Sequence, residues 1–328
     1  MFQTKQDREA IRREASQVPR CNDPKRQEPT RKPGNPRTTD SNGFHLLKTI
    51  GQGTQGKCEL LQRAGDGVIM VRKRTHPRQK SIKMEGNTPR EVKILKDTLR
   101  PHPRIINLIS YNVGKSGELD TYYDYHAGGD LQHHLQPQTG ASEGFIWHIF
   151  RQMAEALAYL HCGYVRSNPN KSGKMPHKWR PIVHCDFKPD NIFLSAPPTT
   201  ENPTPDMILG DFGLAVFDQE ISGHGAPDYQ PPEFPHNTPA ADVWALGATI
   251  HQMAHVHVPV NYVMPEGYRG TRREWVTDPY SKRVEPLPGG YSEALNRNMM
   301  DCLRIRADER VAAYDLLRHI RRDGPRGG

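Results

Sequence analysis

From residue 44 onward the chain alternates short apolar and β-branched runs with turn-forming clusters, and the runs at 46–50, 58–62 and 68–73 predict strands. Between the second and third runs, Ala64-Gly65-Asp66-Gly67 supplies the glycines that a hairpin turn needs, so these strands are expected to form an antiparallel sheet. A helix is predicted next: Thr88 is placed to cap it, Pro89 to take its first position, and Val92, Leu95 and Leu99 to share one face. Two further strands are expected around 105–111 and 120–125. After Gly128 the pattern changes. Ile146, Phe150, Met153, Leu157 and Leu160 recur at steps of four and three, the spacing of a buried helix stripe. Later helices are expected from Pro239 through Trp244, Leu246 and Ile250, with Thr238 as cap, and across 311–320. A small sheet lobe therefore precedes a larger helical lobe, an α+β arrangement. The polar, Pro-rich stretches at 167–180 and 196–206 read as exposed loops.

Composition narrows this picture. With 328 residues the chain exceeds the usual size of one core, which favours a two-lobed catalytic unit or two domains. Only 35% of the residues are hydrophobic, so any core carries long polar loops around it. The formal charge of +8 points to acidic partners, namely nucleic acid, phosphate ligands or anionic substrate segments, and does not choose among them. Residues 1–43 hold ten Lys and Arg against six Asp and Glu, with five prolines and no apolar periodicity; they are expected to be a disordered basic tail. Residues 321–328 are expected to fray as well. No apolar stretch approaches the ~18 residues a membrane helix needs, and the start is polar where a secretory signal would be apolar. The five cysteines are odd in number and lack C-x-x-C spacing, which argues against a disulfide framework or a zinc site and for the cytosol or nucleus.

Gly51-Gln52-Gly53-Thr54-Gln55-Gly56 lies between two predicted strands, where residues without Cβ let backbone amides approach phosphate oxygens closely. A flexible hairpin turn is the competing reading. The dinucleotide-fold version requires a helix straight after the glycines, whereas Lys57-Cys58-Glu59-Leu60 reads as strand. Lys73 ends the run Val68-Ile69-Met70-Val71 and could present one ammonium to phosphates; as part of Arg72-Lys73-Arg74 it could equally be solvated. Glu91 is its natural partner, but Thr88-x-x-Glu91 is also a capping box in which that carboxylate would serve its own helix end. The two roles of Glu91 compete.

His184-Cys185-Asp186-Phe187-Lys188-Pro189-Asp190-Asn191 resembles the catalytic loop of the protein kinase family. Asp211-Phe212-Gly213 resembles its metal-binding motif, Pro231-Pro232-Glu233 its A-P-E, and Asp242-Val243-Trp244-Ala245-Leu246-Gly247 its D-x-W-x-L-G helix. Arg310 stands where the family places the arginine that pairs with the A-P-E glutamate, here Glu233. The resemblance runs from about residue 44 to 320, in the family's order. It implies a bilobal α+β kinase fold, with an N-lobe over about 44–123, a linker over about 124–128 and a C-lobe over about 129–320. It also implies transfer of the ATP γ-phosphate to Ser or Thr hydroxyls of a protein substrate. Asp186 would orient the acceptor hydroxyl, Lys188 would balance charge on the transferring group, and Asn191 and Asp211 would hold Mg²⁺, with Mn²⁺ as an alternative. Lys73, held by Glu91, would fix the α- and β-phosphates. Gly51, Gln52, Gly53 and Gly56 would cover the nucleotide, Asp124 and His126 would meet the adenine edge, and Tyr123 would control access behind it. Cys58, Val71, Asp130 and Phe193 complete the implied nucleotide-binding set, Asp130 reaching the ribose or a substrate.

Four positions depart from the family pattern. Cys185 replaces the arginine that in many kinases pairs with an activation-segment phosphate, and a thiol cannot do that. Across 214–228 Ser222 is the only hydroxyl-bearing Ser or Thr, and Ala226 replaces the common threonine of G-T-x-x-Y; activity is therefore expected not to depend on phosphorylation there. Val71 replaces a smaller alanine and Cys58 a valine. Lys188, and the lack of Trp in Tyr229-Gln230-Pro231-Pro232-Glu233, favour Ser/Thr over Tyr substrates. The alternatives are a pseudokinase scaffold, against which Lys73, Glu91, Asp186, Asn191 and Asp211 argue, and a small-molecule phosphotransferase, which would not be expected to keep Glu233 with Arg310. Nucleic-acid binding rests on charge alone, which phosphate handling also explains. Nothing in the sequence speaks to oligomeric state.

Overall fold

The computed structural model describes residues 43–53, 56–76, 84–85, 88–135, 138–165, 179–218, 220 and 225–325. The expected basic tail (apart from Gly43), Thr54 and Gln55, most of the 167–180 insertion, Ser222 and the last three residues lie outside them. The described residues divide into two compact units, one drawn from Met1–Ile82 and Leu108–Tyr125, the other from Lys83–Asn107 and His126–Gly328.

In the first unit, β1 (Phe44–Gly53), β2 (Gly56–Arg63) and β3 (Ile69–Thr75) form the expected meander. The turn between β2 and β3 closes through Gly67 N–H to Arg63 O and Arg63 N–H to Val68 O, both 2.9 Å, with Gly67 at φ +74°. Two strands from later in the chain, named below, complete an antiparallel sheet of five. One face of that sheet carries Leu61, Met70 and Tyr122, packed with Phe44 and Ile109. The same face carries charge. Arg72 donates to Glu59 Oε2 at 3.0 and 2.7 Å, Lys57 pairs with Glu59 at 2.6 Å, and Arg74 forks onto Asp120 at 2.7 Å per arm. Burial pushes the Glu59 carboxyl up, and Lys57 and Arg72 override it, holding the group below its ordinary range.

The second unit opens with the short strands β4 (Met84–Glu85) and β5 (Thr88–Pro89), paired to each other. Helix α1 follows as Arg90–Val92 and widens at once into a π turn, Lys93–Thr98, closed by Leu99 N–H to Ile94 O at 2.9 Å. The capping expectation is corrected here. Thr88 is paired with Glu85 as strand, Pro89 with ψ 136° is the cap residue rather than the first helical one, and no side chain caps the helix. The wider turn also moves the buried face, which holds Val92, Ile94 and Leu99, with Leu95 only half-buried.

The strands β6 (Leu108–Val113) and β7 (Leu119–Asp124) return to the sheet of the first unit, giving the order β1-β2-β3-β7-β6. The remaining elements belong to the second unit. They are α2 (Leu131–His134), α3 (Glu143–Cys162), β8 (Ile182–Val183), β9 (Ile192–Leu194), β10 (Met207–Leu209), β11 (Val216–Phe217), α4 (Pro239–His255), α5 (Arg272–Thr277), α6 (Glu293–Cys302) and α7 (Ala313–Asp323). Helix α3 buries every residue of the predicted stripe and most of its other faces, as the central helix of its unit does. It stops at Gly163 (φ +70°), whose N–H reaches Tyr159 O while that of Tyr164 reaches Ala158 O, the left-handed stop that glycine allows. Thr238 does occupy the cap position of α4, but its hydroxyl makes no capping bond. Helix α7 continues to Asp323, past the expected fraying point, because Arg297 and Asn298 bond to Asp323 and Arg321 donates to the Tyr164 hydroxyl at 2.7 Å.

Candidate active site

Strand register orders the first unit's candidates. Cys58 lies opposite Lys73, Lys73 opposite Thr121, Leu60 opposite Val71 and Val71 opposite Tyr123, so Cys58, Val71, Lys73 and Tyr123 share the face away from Met70 and Arg72. Gly51 pairs with Cys58, Gln52 with Lys57 and Gly53 with Gly56. The loop is thus the tip of the β1–β2 hairpin. Gly56 sits at φ +133°, and a Cβ there would overlap the Arg74 carbonyl, so this glycine is required by its own sheet.

In the second unit the catalytic-loop residues follow β8, which pairs with β11. Asp242, buried in the first turn of α4, accepts from His184 N–H at 2.7 Å and Cys185 N–H at 3.0 Å, and lies 3.0 Å from His161 Nε2. These bonds hold Cys185 at φ +66°, a left-handed conformation that costs a residue with a Cβ about 1–2 kcal/mol. His184 Nδ1 faces the Asp186 amide at 3.4 Å, so Nε2 is the donor to Gly210 O at 2.9 Å. One buried imidazole thereby ties the catalytic loop to the segment carrying Asp211. Its ring meets Phe212 edge-on at 4.9 Å, and Phe212 is wholly buried. Asp211 itself stands at φ +56° and receives Gly213 N–H at 3.4 Å.

Asp186 is the hub of the loop. Its Oδ2 lies 2.9 Å from Lys188 Nζ and 3.1 Å from Asn191 Nδ2; its Oδ1 accepts from Ala226 N–H at 2.8 Å; its backbone carbonyl accepts from Asn191 at 2.7 Å. Burial pulls the Lys188 ammonium down, but Asp186, Asp190 and Asp211 outweigh it and leave the group raised, so Lys188 is charged at neutral pH. Asp190 moves up, chiefly by burial against the opposing effect of Lys188. Gly225 approaches so closely that a Cβ would overlap Cys185 O and stand 3.0 Å from Asp186 Oδ1.

The linker residues of this unit are zipped to β9. Leu194 N–H donates to Gly129 O at 2.9 Å, Gly128 N–H to Leu194 O at 3.1 Å, and Asp130 bridges to Phe193, whose ring stacks with His126 at 6.3 Å. His126, Asp130 and Phe193 are therefore brought together, although far apart in sequence. The Asp130 carboxylate is engaged at home, accepting from His133 N–H at 3.0 Å and facing His133 Nδ1 at 2.6 Å as the cap of α2. Arg310 forks onto Glu233 at 2.7 and 3.0 Å and also donates to Ala240 O at 2.7 Å, with its guanidinium 5.2 Å from the Trp244 ring. The loop-holding roles of Asp242, His161, His184 and Gly225 were not read from the sequence. His184 and Asp242 belong to the kinase-like runs 184–191 and 242–247, whereas nothing local marks His161 or Gly225.

The protein kinase domain family model matches residues 44–320. The chain is 29% identical over 300 residues to the G2-specific protein kinase nim-1 of Neurospora crassa, covering 85% of this chain and 33% of that one. It is 30% identical over 303 residues to the G2-specific protein kinase nimA of Emericella nidulans, covering 85% and 41%. Against the human serine/threonine-protein kinase Nek2 it is 25% identical over 293 residues, covering 84% and 58%. The chain thus spans well under two thirds of the length of each of these relatives.

Proposed function

The chain belongs to the protein kinase family, and from that premise we propose that it transfers the γ-phosphoryl group of ATP to Ser or Thr hydroxyls of protein substrates. The observation that carries this reading is the convergence of Lys188 Nζ, Asn191 Nδ2 and the Ala226 amide on the carboxylate of Asp186. Three donors fix its orientation, so the group meets an acceptor hydroxyl without reorganising. Asp186 takes or orients the hydroxyl proton, and the charged Lys188 offsets negative charge on the group in transit.

The residues fit a hard divalent cation. Asn191 commits its amide nitrogen to Asp186, which leaves the oxygen end as a ligand, and Asp211 supplies a carboxylate. Mg²⁺, or Mn²⁺ in its place, would screen the phosphate charges there. Lys73 neutralises the α- and β-phosphates, and the tip of the β1–β2 hairpin offers backbone amides to them. Cys58, Val71 and Tyr123 share one apolar sheet face suited to adenine, and Asp124 and His126 present backbone to its edge.

Activity is proposed to be independent of activation-segment phosphorylation. Cys185 is buried among Val183, Val216 and Leu214, an apolar setting unlike that of a phosphate-pairing arginine. Ala226 reaches Asp186 through its backbone, so that bond needs no hydroxyl. Radiolabel transfer from ATP to a generic basic protein tests the activity, with Asp186→Asn and Lys73→Met as controls. No incorporation by wild type under Mg²⁺ or Mn²⁺ would reject it. Ser222→Ala is expected to keep full turnover; abolished turnover that Ser222→Asp restores would reject the independence.

A further inference from the structure

Helix α4 ends in His251-Gln252-Met253-Ala254-His255-Val256-His257, a histidine-rich run that phosphoryl transfer does not use. Three features of the fold bring its imidazoles together with one carboxylate. His251 and His255 are four apart on α4, and their rings stack at 4.0 Å with planes 18° apart. Val256 caps the helix at φ +59°, a conformation rare for a β-branched residue, and turns the chain so that the His257 ring lies 5.4 Å from that of His255 and 5.3 Å from that of His251. Beyond it the backbone pairs with the segment that carries Glu285. Asn261 N–H donates to Ser281 O at 2.7 Å, Arg283 N–H donates to Pro259 O at 3.1 Å, and Val260 bridges to Lys282. As a result His255, His257 and Glu285 each place a ligand atom within 4.8 Å of the others.

The nitrogens are in the state a metal wants. His251 Nδ1 lies 3.0 Å from His257 O, and His257 Nδ1 lies 3.0 Å from Val258 O. A carbonyl only accepts, so both Nδ1 atoms carry the proton and both Nε2 atoms carry the lone pair, the arrangement in which metal-binding histidines are held from behind. His251 is wholly buried, yet its Nε2, like that of His255, has no protein partner, which is costly for a polar atom out of water. Glu285 Oε1 is held by Arg283 Nε at 2.7 Å, a surface pair that orients the carboxylate and leaves its second oxygen for a cation.

We propose that His255, His257 and Glu285 bind one zinc ion, with His251 as a positioning residue that holds the His257 backbone and packs behind the site. Two imidazoles and a carboxylate suit zinc rather than Mg²⁺ or Ca²⁺, which prefer all-oxygen shells. Zn–N and Zn–O bonds of about 2.0–2.2 Å bring tetrahedral ligand atoms to roughly 3.4 Å of one another. Closing from 4.8 Å requires only side-chain rotation, since His257 is exposed and His255 and Glu285 are half-buried. Three protein ligands leave the fourth position to water. The ion would fasten the end of α4 to the 281–285 segment. The lack of C-x-x-C spacing excludes only cysteine-built sites and does not bear on this one.

The test uses the full chain freed of any affinity tag, titrated with Co²⁺ and followed by its visible ligand-field absorption, with Zn²⁺ as competitor. One Co²⁺ per chain is expected, displaced by Zn²⁺. His257→Ala and Glu285→Gln should each weaken binding by at least tenfold. His251→Phe, which keeps the ring but not its Nδ1–H, should weaken it about 10–100-fold and alter the cobalt spectrum. Zn²⁺ should raise the melting temperature of wild type and not that of His257→Ala, whose exposed side chain makes loss of folding no explanation. Absence of a cobalt spectrum, or stoichiometric binding that persists unchanged in His257→Ala and Glu285→Gln, overturns the proposal.

Discussion

Asp186 and Asp242 divide the work of the loop: one carboxylate is proposed to face the chemistry, and the other holds the backbone on which it stands. Replacing Asp186 by Asn keeps the shape but removes the charge and sets an amide against three donors. Phosphoryl transfer is expected to fall about a hundredfold or more, equivalent to about 3 kcal/mol, with an unchanged melting temperature. Asp242→Ala acts differently. It strands two buried amides, His184 and Cys185, at about 1–3 kcal/mol each, and frees Cys185 from its left-handed conformation. Activity and melting temperature should fall together, and a calorimetric scan beside a rate measurement separates the two cases. The residues proposed to carry the chemistry, Asp186, Lys188, Asn191 and Asp211, stand out in the sequence by the order of their motifs. Asp242's grip on the loop does not, because it links positions 57 and 58 residues apart.

At the scale of elements, period-two and period-3.6 patterns located the five strands of the first unit's sheet and the helices α3, α4 and α7, because burial on one face is written into the spacing; the short strands β8–β11 and helix α6 were not read from it. Helix α1 escaped that reading. A π turn of five-residue bonds shifts the apolar face, so Ile94 rather than Leu95 is buried, and the strand pairing of Thr88 removes the cap. The Glu233–Arg310 fork joins the chain across 77 residues, with Arg310 also held by the Ala240 and Arg304 carbonyls. Arg310→Lys keeps the charge but cannot reproduce the planar fork, and leaves several of these acceptors short of a donor. A loss of about 2–4 kcal/mol is expected in urea unfolding.

For the whole molecule, buried histidines set a lower pH limit. His102, stacked on Tyr159 at 4.4 Å, is pushed down to about 4 by burial and then by the nearby Arg104. Its folded value lies below the unfolded one near 6.5, so the unfolded chain takes the proton first. Stability is intact above pH 6.5 and is lost as the pH falls from there towards 4, by about 3 kcal/mol at most for this group. His251 adds a loss of the same sign. Urea midpoints at pH 7.5 and 5 check this, and His102→Asn should flatten the difference while sparing the side-chain acceptor used by Arg104 N–H. Among the described residues no helix is long and apolar enough to cross a membrane.

The sequence by itself determined the two architectures, the order of the motifs and the identity of the charged groups, because local periodicity and ordered spacing are properties of the chain alone. Only the tertiary structure decided which groups meet. It placed His184 between the catalytic loop and Gly210, laid Gly128 and Gly129 against β9, and brought Glu285 beside His255 and His257. The physical reason is the same in each case: such contacts join residues distant along the chain, and their geometry is fixed by packing and backbone pairing that leave no period or motif in the residues themselves.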